Sequence, residues 1–135
     1  MARIVNFSEA VSIGIHSMVL IARAAESVNV LQLAASTGAS RHHVAKVMQR
    51  LVKDNFLISS RGPNGGFHLK RPAQQITLLQ IFESIDGAIT IEKCPMDNPI
   101  CPFTKCLMGN LIADVTREII DYLERNTLAD YAWEE

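Results

Sequence analysis

The chain has 135 residues, of which 48% are hydrophobic and 20% charged, a composition typical of one globular domain and not of a disordered chain. The most apolar stretch, residues 11–25, is interrupted by Ser12, His16 and Arg23, so we expect neither a signal peptide nor a membrane span. The formal net charge of −1 does not identify a partner, and we expect a cytoplasmic protein with no membrane partner.

The charges are distributed unevenly along the chain. Residues 41–71 contain seven lysines and arginines and one aspartate, whereas residues 83–135 contain four basic and eleven acidic residues. A basic cluster inside a nearly neutral chain is the electrostatic pattern of a surface that faces a polyanion. We therefore look for a nucleic-acid-binding element within residues 41–71.

The N-terminal part of the chain predicts two helices and a turn. Ser8 is a suitable N-cap for a helix that runs to about Glu26, and residues 30–37 predict a second, shorter helix. Gly38 then supplies the turn, because glycine tolerates the positive φ that ends a helix. The apolar residues of the first helix share one stripe: Val11, Ile15, Met18 and Ala22.

A third helix is predicted from Arg41 to about Asn55, with Ser40 as its N-cap. Its apolar residues have the spacing of a single buried stripe: Val44, Val47, Met48, Leu51 and Val52. Because the basic side chains lie largely off this stripe, the segment has the pattern of a DNA-binding helix-turn-helix. An ordinary helical hairpin with solvated lysines is the alternative.

A β-hairpin follows directly, with strands at residues 56–60 and 67–70 around a Pro63-Asn64-Gly65 turn. A hairpin in this position is the wing of a winged helix, and Arg61 at its tip suits a minor groove. The predicted DNA-binding residues are Ser40, Arg41, His42, His43, Lys46, Arg50, Arg61, Asn64 and Gly65.

The remaining elements are a helix that begins with a Thr77-to-Gln80 capping box and ends at Gly87, a loop, and a long helix at about 106–126. A heptad-spaced seam on the last helix predicts packing along another helix, of a second subunit or of the same chain. The seam is Met108, Ile112, Val115, Ile119 and Tyr122. The predicted fold is mainly α, a winged helix-turn-helix domain at 1–87, a cysteine loop at 88–106, and a dimerisation helix with its tail at 107–135.

Three cysteines lie close together in the spacing Cys94-x6-Cys101-x4-Cys106. In a reducing compartment an odd, clustered set more often binds metal or senses redox state than forms disulfides. Three thiolates on a loop that contains several prolines can hold zinc or an iron–sulfur cluster, each of which needs a fourth ligand. That ligand could be a carboxylate, a histidine or a group from a partner subunit. Three unrelated, merely packed cysteines are the alternative.

Together these motifs resemble the IscR/NsrR family of iron–sulfur winged-helix transcriptional regulators, over nearly the whole chain. The features that carry the resemblance are Phe7-Ser8-Glu9, Leu33-Ala34 followed by Gly38 and Ser40, the wing sequence from Ser60 to Phe67, Ile76-Thr77-Leu78, the cysteine trio, and Thr127-Leu128-Ala129-Asp130. The resemblance implies a homodimer on a double-stranded DNA operator, with the third helix in the major groove and the wing at the minor groove.

The resemblance also implies that Cys94, Cys101 and Cys106 ligate a [2Fe-2S] or [4Fe-4S] cluster. Gly109 occupies the position of the histidine ligand in iron–sulfur assembly regulators, which excludes that arrangement. In nitric oxide-sensing members an acidic residue near the N-terminus of the other subunit is the ligand, and Glu9 occupies the matching position. The trio departs from the usual five-and-five spacing, which leaves the cluster type open.

The expected function is therefore that of a DNA-binding repressor whose operator affinity depends on a cluster that senses nitric oxide, redox state or iron supply. The alternative is a winged-helix regulator, or a module that acts mainly through protein contacts, with a zinc or thiol-redox site instead of a cluster. We do not expect an enzyme, since the sequence contains no phosphate loop, no nucleotide fingerprint and no nucleophile–base set beyond the cysteines.

Overall fold

The computed structural model describes residues 1–94, 96 and 101–133. This part of the chain contains the helices α1 (Glu9–Arg23), α2 (Val30–Thr37), α3 (Arg41–Lys53), α4 (Leu78–Asp86) and α5 (Leu111–Arg125), and the strands β1 (Leu57–Ser60) and β2 (Gly66–Leu69). The predicted mainly helical fold with a hairpin wing is confirmed. None of the helices in the described part is long and apolar enough to cross a lipid bilayer.

Helix α1 begins where the sequence predicts, because the Ser8 hydroxyl accepts a hydrogen bond from the Val11 amide at 3.1 Å. It ends at Arg23, and the predicted end at Glu26 is wrong. The reason is that Ala24 adopts an extended conformation, after which the chain pairs with the wing through Val28.

Helices α2 and α3 form the predicted helix-turn-helix. Gly38 has a φ of 74°, and the Ser40 hydroxyl accepts from the His43 amide at 3.2 Å to cap α3. An additional capping box, between Asn29 and Gln32, begins α2. The predicted inner stripe of α3 lies in the core, with Val52 only half-buried and the following residues fully buried: Val44, Val47, Met48 and Leu51.

The wing is joined to the helical part by a third segment that the sequence did not predict. Strands β1 and β2 pair antiparallel, and Val28 exchanges both backbone hydrogen bonds with Phe67, at 2.8 and 3.0 Å. At Gly66, with a φ of 149°, an added Cβ would lie 2.6 Å from the Val28 carbonyl oxygen. Glycine is therefore required for this close approach.

Helix α5 begins at Leu111, so the prediction that it begins at Cys106 is wrong. Gly109 has a φ of 59°, and this left-handed residue separates the preceding segment from the helix. Met108, assigned to the helical seam, consequently lies before the helix.

The C-terminal end of the described chain packs on the winged helix of the same molecule. Leu123 and Leu128 belong to the core that α1, α3 and α4 share. Two backbone hydrogen bonds of 3.0 Å, from Leu78 to Asn126 and from Leu128 to Ile76, attach the chain after α5 to the chain before α4. Of the two buried residues of α5, Leu123 near its end belongs to this core, whereas Ala113 near its beginning does not. The predicted cysteine loop at 88–106, which we call the cysteine segment, is therefore followed by a helix whose contact with the core lies near its far end.

Candidate functional site

The N-terminal half of α3 presents basic side chains to solvent. Arg41, His42 and Lys46 are exposed, as is Arg61 at the tip of the wing. None of these four forms a side-chain hydrogen bond or ion pair within the described residues. The amino end of a helix carries partial positive charge, which together with these cations attracts phosphate groups. This surface, which we call the basic face, has the charge and shape to contact DNA.

His43 and Glu9, which were assigned to different sites, contact each other. The Glu9 Oε1 atom lies 3.6 Å from His43 Nδ1, an ion pair when the imidazole is protonated. The Glu9 side chain remains 72% exposed, whereas that of His43 is 33% exposed. Glu9 also lines an open groove of about 630 Å³ between α1 and the turn that precedes α3. A group from another molecule can therefore reach its carboxylate.

Arg50 faces α4. Its Nε donates a 2.8 Å hydrogen bond to the Ser84 carbonyl and lies 3.3 Å from the Asp54 carboxylate. A direct role for Arg50 in DNA binding stays a prediction, but these internal partners compete with such a role. The signal available in the sequence was the i, i+4 spacing of Arg50 and Asp54, which favours an ion pair on a helix.

Two further cations of the basic segment stabilise the C-terminal end of α3. Arg71 donates to the Asn55 carbonyl at 3.0 Å and to the Asp54 carbonyl at 3.1 Å, with its guanidinium 4.3 Å from the Phe56 ring centroid. Lys70 donates to the Asn55 side chain at 2.9 Å. Asn55 has a φ of 67°, the left-handed conformation that commonly ends a helix. These cations therefore have a structural role that the sequence analysis missed.

The tip of the wing is a tight turn with an exposed Asn64. The Gly65 amide donates to the Gly62 carbonyl at 2.9 Å, and a Cβ on Gly65 would lie 2.5 Å from the Ser60 carbonyl oxygen. Gly65 is thus needed to close the turn itself. Its predicted contact with DNA through the backbone is a separate role, which stays a prediction.

The three cysteines are free and exposed. Cys106 Sγ lies 3.8 Å from the Gly109 carbonyl oxygen. Residues 95 and 97–100 of the predicted cysteine loop lie outside the described part. Within the described part, no group of three or more His, Cys, Asp and Glu side chains is arranged to hold a metal ion. The donor chemistry of three thiols fits an iron–sulfur cluster or zinc, although among the described residues the thiols and Glu9 do not form a group of three or more donors.

The seam predicted on α5 is partly accessible. Val115 and Tyr122 are 38% and 49% exposed, whereas Ile112 and Ile119 are half-buried. Apolar surface on α5 is therefore available to a partner without unfolding of the chain.

The Tyr122 hydroxyl lies 3.2 Å from that of Tyr131, and this hydrogen bond, with partial burial, raises the pKa of Tyr131 to about 12.

Comparison with known proteins identifies the family. Residues 7–133 match the Rrf2 family, which is described as an iron-dependent transcriptional regulator. The chain belongs to the Rrf2 family. It is 28% identical over 93 residues to the helix-turn-helix regulator IscR of Vibrio campbellii, a match that covers 69% of this chain and 55% of the relative. The predicted likeness to the IscR/NsrR regulators is thereby confirmed.

Solved structures of similar fold include two named regulators. CymR of B. subtilis, named as the global cysteine regulator of that organism, superposes with a TM-score of 0.78 at 20% identity over 96% of this chain and 97% of the other. IscR of T. potens superposes with a TM-score of 0.73 at 22% identity over 93% and 85%. The chain spans 55 to 63% of the length of the curated relatives that it matches.

Proposed function

We propose that this Rrf2-family chain is a DNA-binding transcriptional regulator that places α3 in the major groove and the wing at the minor groove. The observation that carries the proposal is the basic face, where Arg41, Lys46 and Arg61 are exposed on the two elements that a winged helix uses for DNA. The names of the relatives as transcriptional regulators support it.

The test is binding to a duplex enriched from random-sequence DNA by the purified protein, which we call the selected duplex. Binding should weaken steeply with salt, since each phosphate contact releases counterions. Arg61→Ala should weaken binding and reduce the slope against log salt by about 1 if Arg61 contacts a phosphate. An Arg61→Ala protein with wild-type affinity and slope would remove the wing tip from this proposal.

We further propose that the cysteine segment controls this binding through an iron–sulfur cluster. Cys94, Cys101 and Cys106 would supply three thiolates, and Glu9 of the other subunit the fourth ligand. The exposure of all three thiols and of the Glu9 carboxylate supports this, as does the iron-dependent description of the family. When bound, the cluster would supply redox sensitivity, and its loss would release the cysteine segment.

A thiol-redox or zinc site is the second candidate. Its thiol-redox form is favoured by the similar fold of CymR, of which a solved structure from Staphylococcus aureus is in an oxidized form. Anaerobic purification, followed by visible absorption and iron, sulfide and zinc analysis, separates the two. A brown protein with equal iron and sulfide supports the cluster. A protein that stays colourless after anaerobic reconstitution supports the second candidate.

A separate experiment, which measures the lifetime of the reconstituted cluster, tests the role of Glu9. Glu9→Ala should leave the chain folded, because the carboxylate is largely exposed, while shortening the lifetime of the reconstituted cluster in a chelator. Glu9→Asp, which keeps the carboxylate, is the matched control. Equal decay rates in the wild-type and Glu9→Ala proteins would contradict ligation by Glu9 and leave the cysteine trio as a separate question.

We also propose a homodimer that buries the accessible surface of α5, as a two-fold arrangement would match an operator with two half-sites. The exposed Val115 and Tyr122 support this proposal. Val115→Glu should convert the dimer to monomer in sedimentation velocity without loss of helical circular dichroism. A dimer of unchanged stability would place the interface elsewhere.

A further inference from the structure

A group of three polar residues joins the C-terminal ends of α3 and α4. Arg50 Nε donates to the Ser84 carbonyl at 2.8 Å and lies 3.3 Å from Asp54 Oδ2. The Ser84 hydroxyl donates to the same carboxylate oxygen at 2.5 Å. We call Arg50, Asp54 and Ser84 the α3–α4 clamp. It contains a charged pair within α3 and its C-cap, and two hydrogen bonds that join the two helices.

Asp54 and Ser84 are not the residues that would make α3 or α4 most stable on its own. Asp54 is the C-cap of α3, where the negative end of the helix dipole disfavours a carboxylate. Ser84 is only 8% exposed, and a buried hydroxyl costs free energy unless it forms a hydrogen bond. The Ser84 hydroxyl has its partner, and Asp54 has a second partner beside Arg50, only while α3 and α4 keep their relative position.

Hydrogen bonds of this kind are sensitive to small movements. They weaken steeply as the angle falls, and a contact at 3.6 Å no longer counts as one. The hydrogen bond between the Ser84 hydroxyl and Asp54 would therefore be lost once a displacement of α4 lengthens it from 2.5 Å to more than 3.5 Å, that is, by more than about one ångström directly away from the carboxylate. The clamp distinguishes between positions of α4 more sharply than the apolar packing of Ile81 and Val47 does, since apolar contacts are not directional.

The clamp lies between the two regions that the proposed function must connect. On one side, α3 presents Arg41 and Lys46 at the basic face. On the other, α4 ends at Asp86 with Gly87 as its C-cap, and Cys94 follows Gly87 by seven residues. Among the described elements, α4 is thus the helix that immediately precedes the cysteine segment and also contacts α3.

We propose that the α3–α4 clamp transmits the state of the cysteine segment to α3, with Asp54 and Ser84 as positioning residues for DNA recognition. This inference rests on the proposed control of DNA binding by the cysteines. A change that moves the end of α4 displaces the Ser84 carbonyl and hydroxyl from Arg50 and Asp54. The orientation of α3, and with it the basic face, then changes relative to the wing.

The experiment compares affinity for the selected duplex in two states of each protein, reconstituted anaerobically with iron and sulfide or stripped with a chelator. For the wild type we expect a ratio between the two states of about 5- to 150-fold, the usual range of coupling between sites. In Ser84→Ala the ratio should fall toward 1. Asp54→Asn keeps an oxygen acceptor for Ser84 but loses the charge that attracts Arg50, so its ratio should be intermediate.

A reciprocal measurement provides a readout that a loss of stability would not imitate. Because coupling between two equilibria is mutual, the selected duplex should change the equilibrium constant for forming the cluster from iron and sulfide on the wild-type protein by the same factor. We expect this factor to approach 1 in Ser84→Ala. This constant is measured by competition with an iron chelator at a fixed sulfide concentration, with and without duplex. An unchanged factor in Ser84→Ala would contradict the role of the clamp.

The matched control is Ser17→Ala. Ser17 is also a buried serine on a helix of the core, but its hydroxyl has no hydrogen-bond partner in the described part of the molecule. Removal of this hydroxyl should leave both the affinity ratio between the two states and the reciprocal factor caused by the duplex at their wild-type values. If Ser17→Ala reduces the ratio as much as Ser84→Ala does, any core perturbation suffices and the inference is wrong.

The outcomes separate the inference from the proposed function. Equal affinities of the two wild-type states would show that the cysteines do not control DNA binding, and the inference would fail with that proposal. A wild-type ratio that persists in Ser84→Ala and Asp54→Asn would overturn the inference alone. If Ser84→Ala does not fold, Asp54→Asn decides the question, because the Asp54 side chain is 31% exposed and its replacement is nearly isosteric.

Discussion

The two ends of α3 use their basic residues in different ways. At the N-terminal end Ser40 caps the helix, and Arg41 and Lys46 extend into solvent without a side-chain partner in the described part of the chain. At the C-terminal end Arg50 contacts α4, and Arg71, which follows the wing, donates to the carbonyls of Asp54 and Asn55 directly after the helix. The helix dipole favours anions at the first end and cations at the second.

This difference shows that charge counted along a sequence overstates the charge available to a ligand. Three of the seven cations between residues 41 and 71 have internal partners: Arg50, Lys70 and Arg71. Those that remain unpaired in the described structure lie on α3 and the wing tip: Arg41, Lys46, Lys53 and Arg61. The unpaired set, rather than the total, should determine the salt dependence of DNA binding.

The largest effect is expected from the double variant Arg41→Ala/Lys46→Ala. It should weaken binding to the selected duplex by about 1–3 kcal/mol for each side chain that contacts a base or phosphate. The melting temperature should stay close to that of the wild type, because neither side chain has a polar partner among the described residues. Fluorescence anisotropy at fixed salt measures the affinity. Wild-type affinity would show that this end of α3 does not face DNA.

Arg71→Ala should have the opposite signature, a loss of stability with little direct effect on DNA contacts. The variant loses two charge-assisted hydrogen bonds and a cation–π contact, which together should lower the free energy of unfolding by about 2 kcal/mol. Urea denaturation provides the measurement. Lys53→Ala, which removes an exposed lysine at the same helix end, is the control and should change stability by less than about 0.5 kcal/mol. Equal losses of unfolding free energy in Arg71→Ala and Lys53→Ala would contradict a stabilising role of Arg71 at the C-terminal end of α3.

Two substitutions at Ser40 distinguish its role as the N-cap of α3 from a role in contacting DNA. Ser40→Ala should lower the free energy of unfolding by about 1 kcal/mol, because the hydroxyl no longer accepts from the His43 amide. Ser40→Asp should restore stability, since aspartate is an equally good N-cap, while its charge repels phosphate and weakens DNA binding. If Ser40→Asp binds DNA as well as the wild type, the amino end of α3 does not approach the phosphates.

Lys70→Ala should have the smallest effect. Its hydrogen bond to the Asn55 side chain is exposed, so the melting temperature should fall by less than about 3 °C. The slope of log affinity against log salt should remain that of the wild type, in contrast to Arg61→Ala. A slope reduced by about 1 in Lys70→Ala would show that this lysine leaves Asn55 to contact DNA.

Local signals in the sequence were sufficient for most of the fold. The caps Ser8, Ser40 and Thr77 and the turn at Gly38 depend on contacts within a few residues, and the structure contains all of them. The extent of α1 and α5 was less predictable. The end of α1 depends on the pairing of Val28 with a distant strand, and the beginning of α5 depends on the left-handed conformation of Gly109. Hydrophobic periodicity indicates neither.

The candidate site was predictable in its residue types but not in its pairings. The positions of Arg41 and Lys46 follow from the helical period, whereas the Ser84 partner of Arg50 and the His43 partner of Glu9 come from other helices. Arg50 bonds to a residue 34 positions away, and a single sequence contains no signal for such a contact. The cysteine spacing predicts donor chemistry, but the way the three thiols are brought together depends on long-range structure.

The exchange of hydrogen bonds between Val28 and Phe67 has a consequence for protein engineering. Because the wing is attached on the N-terminal side of α2 as well as after α3, the proposed DNA-binding unit is a continuous block from residue 28 to residue 71. A chimera that transfers only α3 and the hairpin into a related regulator would separate Phe67 from its backbone partner. A graft intended to change operator specificity should begin at Val28 and include Gly66, which that junction requires.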